Sequence, residues 1–168
     1  MTKRGTWLEQ WERVQRSYTR IKQLTEGITP TKKGSPEFNF KDEFCAFFIF
    51  CYHLKDWIDN DKTLSLPNKL ADKFVYKSEN ECLQMCGDIC NGIKHLELTD
   101  PKREPPAKFE KDARVSRRIE DGKYVSIKAN LFISTDKGKH NAFDLATECV
   151  EKWKEFIDEN IGREEIEA

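Results

Sequence analysis

The sequence predicts a mainly α fold, a four- to five-helix up-and-down bundle with a short β-hairpin inserted before the C-terminal helix. Three observations carry that expectation. Four stretches repeat apolar residues at spacings of three and four, the period of a helix with a buried face. One of them, FNFKDEFCAFFIFCYHLKDWIDN at 38–60, is apolar on both sides, so it is expected to be covered twice, by its own chain or by a partner. Only YVSIKANLFIST at 124–135 changes to approximate alternation, and it is rich in β-branched and aromatic residues.

The elements follow in order. In the first helix, 6–28, the stripe is Trp7, Trp11, Val14, Tyr18, Ile21, Thr25 and Ile28, with Gly27 placed to end it. TPTKKGSPE at 29–37 reads as a loop, with Ser35 and Pro36 opening the central helix. There Phe40, Phe44, Phe47, Phe48, Cys51, Leu54 and Ile58 share one arc, and Ala46, Ile49, Phe50, His53 and Trp57 the other. A short helix or turn is expected over 64–71. Ser78 with Glu81 reads as a capping box for a helix over 79–97. Its apolar arc runs Cys82, Met85, Cys86, Ile89, Cys90, Ile93 and Leu96, with Gln84, Asp88, Asn91 and His95 opposite. Prolines in 99–111 end the helical run. A hairpin insertion is expected at about 112–136, turning at 120–123, with a further turn at 136–139. Asn141 then caps a last helix, 142–160, whose stripe includes Cys149, Trp153 and Phe156.

The 168 residues are expected to form one domain, 1–168. Lys plus Arg is 29 against 30 for Asp plus Glu, so overall charge offers nothing to a polyanion. The apolar run at 44–52 is shorter than the roughly 20 residues a membrane-spanning helix needs. Charges stand where a leader would be apolar, and the expected location is cytoplasmic. The six cysteines are therefore expected as reduced thiols. Cys82, Cys86 and Cys90 recur every four residues with His95 beyond, but no C-x2-C knuckle is present. They are read as small core residues, with no metal and no cofactor expected.

Two polar constellations remain. Asn91, Lys94 and His95 lie near the end of the 79–97 helix, and Asp88 is three residues before Asn91. Imidazole serves as an acid or base near neutral pH, while Lys and Asn can hold phosphate oxygens. Late in the central helix, His53 and Asp56 stand at i, i+3, where the carboxylate can orient the ring. With these two helices antiparallel, His53 and His95 would lie about ten residues, or roughly 15 Å, apart. A basic stretch at 102–118 holds Lys102, Arg103, Lys108, Lys111, Arg114, Arg117 and Arg118, which could meet phosphates or guard a strand edge.

FFIFCYHLKDWI, CGDICNGIKHLEL and FDLATECVEKWKEFI together resemble uncharacterised bacterial proteins similar to the HEPN (higher eukaryotes and prokaryotes nucleotide-binding) superfamily. The resemblance covers about residues 38–160 with gaps. It implies a helical bundle, a homodimer, and metal-independent cleavage or binding of RNA in stress or phage defence. His95 matches the His of the superfamily's Arg–His signature, and no Arg stands in the window upstream of it. On this reading His95 is the general acid or base and Lys94 holds phosphate beside Asn91. His53 and Asp56 are the second choice. The alternative expectation is a catalytically inactive helical module that binds a partner protein.

Overall fold

A computed structural model describes residues 6–28, 40–94, 106–110 and 114–162. Five α-helices are described: α1 (Trp7–Glu26), α2 (Phe40–Asn60), α3 (Leu70–Val75), α4 (Glu81–Lys94) and α5 (Ala142–Asn160). The strands are β1 (Lys108–Phe109), β2 (Arg114–Glu120), β3 (Lys123–Asn130), β4 (Phe132–Thr135) and β5 (Gly138–Asn141). The expected caps at 35–36, the tail from 163 and the residues between 95 and 105 lie outside the described residues.

The helices are held as their patterns require. Along α1, Trp7, Trp11, Val14, Ile21 and Leu24 are buried, while Arg13–Glu9 and Arg16–Glu12 pair across one turn of the wet face. Gly27 ends α1 at φ 119, a conformation that disfavours side chains, and its N–H returns to the Gln23 carbonyl. Phe44, Phe47 and Phe48 of α2 are fully buried. The second face of α2 is partly covered by its own chain. Gln10 donates to the Phe50 carbonyl at 2.9 Å, and the Arg13 guanidinium lies 5.1 Å from the Trp57 ring centre. Asn141 caps α5 as expected, its side-chain oxygen accepting from the N–H groups of Phe143 and Asp144.

The direction of α4 rules out an antiparallel pairing with α2. Contacts advance together along α2 and α4: Cys86 reaches the Phe48 carbonyl, Gly87 abuts Tyr52, and Cys90 meets His53. The two helices therefore run parallel. The cause is the connection at 61–80. Asp59 accepts from the N–H groups of Ala71 and Asp72, both at 2.9 Å, and so caps α3 from across the turn. That cap sends α3 back along α2 until Tyr76 meets Tyr52, and α4 then starts again at the opposite end. Ser78 does not form the expected capping box. It opens a short 3-10 turn, Ser78–Asn80, and its hydroxyl donates to Glu79.

The β region is larger than one hairpin. β2 and β3 form a two-stranded ribbon turning at Asp121 and Gly122. The expected strand at 124–135 divides at buried Leu131, and its second half, β4, joins β1 and β5 in a separate antiparallel sheet. Phe109 of β1 packs against Phe48, which fastens that sheet to the core. Among the described residues, no helix is long and apolar enough to cross a membrane.

Candidate functional site

The parallel course of α2 and α4 brings His53 and Asp56 toward the end of the helix pair at which Asn91 stands. His53 Nδ1 lies 3.1 Å from Asp56 Oδ2, one turn along α2. An ionised carboxylate only accepts, so Nδ1 carries the proton in the neutral ring and Nε2 is left as acceptor. Nε2 faces the Cys90 thiol of α4 at 3.6 Å, with the S–H as the weak donor. Both ring nitrogens thus have partners. The pair is a clamp between α2 and the turn of α4 that precedes Asn91.

Asp56 is held in turn by Lys55. The ammonium lies 2.8 Å from Asp56 Oδ1 and 2.9 Å from Asp72 Oδ1 on α3, and 5.0 Å from the Tyr52 ring centre. Lys55 is only 8 % exposed, so its charge depends on these two carboxylates. Burial works against its charged form, but the hydrogen bonds it donates to both acids outweigh that and raise its pKa. For Asp56, burial works to raise the pKa; the bonds from Lys55 and His53 outweigh it and hold the carboxyl below its usual value. Tyr52, whose hydroxyl meets that of Tyr76 at 2.8 Å, is pushed up by burial and by that partner. A chain of contacts therefore runs from Asp72 through Lys55, Asp56 and His53 to Cys90, joining α3, α2 and α4.

Beside Asp56 opens a cleft of about 650 Å³, lined by Thr6, Asp56, Trp57, Asn60, Asp61, Lys62 and Thr63. Asp61 accepts from the Trp7 N–H at 2.9 Å and from the Thr63 hydroxyl at 2.7 Å. Burial works to raise its pKa, and these donors hold it below the usual carboxylate value instead. Two carboxylates against one ammonium make this cleft a poor phosphate pocket.

The residues expected at the site fall unevenly. His53 and Asp56 touch, as their spacing implied. Asn91 is half-buried and directly follows Cys90, and Lys94 is the last residue of α4. His95 lies outside the described residues. Asp88 does not share a wet face with Asn91. It is 0 % exposed, and the Ala107 N–H donates to it at 3.3 Å, because the chain before β1 covers that side of α4. Ile93, expected on the apolar arc, is exposed instead. Sequence spacing did not reveal Cys90 as a partner of His53, nor Lys55 and Asp72 as the groups that hold Asp56, although HLKD already places Lys55 beside Asp56. Of the basic stretch, Arg117 and Arg118 are exposed on β2 and Arg118 pairs with Glu120. Lys102, Arg103 and Lys111 lie outside the described residues.

No protein-family model, no curated protein and no solved structure matches this chain.

Proposed function

We propose that the chain is a HEPN-like protein that binds or cleaves RNA without a metal in the reaction, in stress or phage defence. The observation that carries this reading is the Cys90–His53 contact. It joins the two motif-bearing helices where Asn91 and Lys94 follow on α4. In the proposed reaction His95 takes the proton of the RNA 2′-hydroxyl, which attacks the adjacent phosphate. Lys94 and Asn91 hold the charged oxygens, although a lysine lacks the two-pronged fork of arginine. His53 and Asp56 act as positioning residues, holding the end of α4 against α2.

The test is incubation of the purified chain with labelled single-stranded RNA in EDTA. The expected result is cleavage that His95→Ala abolishes with the fold retained and that His53→Ala weakens. Unchanged cleavage by His95→Ala rejects the assignment. A homodimer belongs to the same reading, through Ile49, Phe50, His53 and Trp57, and sedimentation at tens of micromolar tests it.

The second reading is a catalytically inactive module bound to a partner protein. The engagement of both His53 nitrogens and the acidic balance of the cleft favour it. A stable protein partner captured without RNA is its expected result.

A further inference from the structure

We propose that Cys51, Cys86 and Cys149 form a buried site for a thiophilic d10 cation. The three thiols come from α2, α4 and α5, far apart in sequence. Their sulfurs all lie within 4.8 Å of one another, and each residue is 0 % exposed. Around one ion with metal–sulfur bonds of about 2.3 Å, thiolates in a tetrahedron stand roughly 3.8 Å apart. The trio is therefore close to a ligand spacing before any ion is bound. Among the described residues it is the one group of three His, Cys, Asp or Glu side chains gathered in this way.

A second observation points to the same place. The indole Nε1 of Trp153 is buried with no hydrogen-bond partner. Trp153 neighbours Cys51, as do Cys149 and Cys86. A neutral thiol is a weak acceptor, whereas a metal-bound thiolate draws N–H donors strongly. An ion at the trio would give this donor the acceptor it lacks. Such outer donors are a recurring part of metal sites.

The ligand set fixes the class of ion. Soft sulfur ligands select zinc or copper(I) over hard cations. Cys82 is the adjacent cysteine: its sulfur is not among the three gathered within 4.8 Å, and the Cys149 thiol donates to its backbone carbonyl at 3.4 Å. With Cys82 as a fourth thiolate the set suits tetrahedral zinc; with three it suits copper(I). Binding replaces each S–H proton by a metal–sulfur bond and releases the proton to solvent, so affinity falls in acid. Two of those protons now go to carbonyls, Cys86 to Phe48 at 3.1 Å and Cys149 to Cys82. Because all three thiols are enclosed, the ion enters as the helices assemble.

The test uses the full, untagged chain under reducing conditions. Its metal content is measured after growth with added zinc. The unfolded chain is then refolded with cobalt(II), as a zinc reporter, or with copper(I). The expected result is a stoichiometric ion and a thiolate-to-metal charge-transfer band, lost in Cys149→Ala. In Cys82→Ser, loss of the cobalt band assigns four-coordinate zinc, and survival of the copper(I) band alone assigns the three-thiolate set. No bound metal, and no band with either ion in the wild-type chain, overturns the proposal. So does a band that persists in a folded Cys149→Ala chain.

Discussion

Single side chains make the turns of this fold. Asp59 receives the first N–H groups of α3 and so determines where the chain goes after α2. Asp59→Ala is expected to cost about 1 kcal/mol, the usual worth of a helix cap, read as a lower urea midpoint at unchanged slope. Asp59→Asn should recover part of it. Asp56 has a depressed pKa, so its contribution is present above the usual Asp value and is lost as pH falls through the folded value. Lys55 has a raised pKa, so its contribution is present below the usual Lys value and is lost as pH rises through the folded value. Asp56→Asn should therefore flatten the acid limb of a stability–pH curve. An acid limb that matches wild type would show that Asp56 carries no such linkage. The His53–Asp56 pair was legible because i, i+3 spacing brings side chains together on any helix. Lys55–Asp72 was not, since it depends on how α3 returns.

Among the elements, the pairing of α2 with α4 decides what the site can be. Gly87 lies under the Tyr52 ring; a Cβ there would come within 2.7 Å of it. The ring is held by its bond to Tyr76 and cannot swing freely. Gly87→Ala is expected to destabilise by about 1–3 kcal/mol, the usual cost of overpacking, in chemical denaturation. Wild-type stability in that variant would contradict the close approach of α2 and α4. Periodicity identified both helices and most of their buried faces, because burial follows the helical repeat. It did not give their relative direction, which the 61–80 connection sets. Nor did it divide 124–135 between two sheets, because alternation runs on past Leu131 while the pairing partner changes.

For the whole molecule, one cluster of buried side chains runs through all five helices and into the β region, from Trp7 to Ile157. The cysteines read as core residues in sequence are in that core, yet three of them meet across helices in a way that single-helix spacing cannot reveal. The proposed function rests on the end of α2 and α4 acting as one site. The most direct test incubates single-stranded RNA with the wild-type chain, His95→Ala and His53→Ala, all in EDTA. Wild-type cleavage that is abolished in a folded His95→Ala and several-fold slower in a folded His53→Ala is the result this account expects. Cleavage at the same rate in all three would contradict it, and no cleavage by the wild-type chain would favour the partner-binding module.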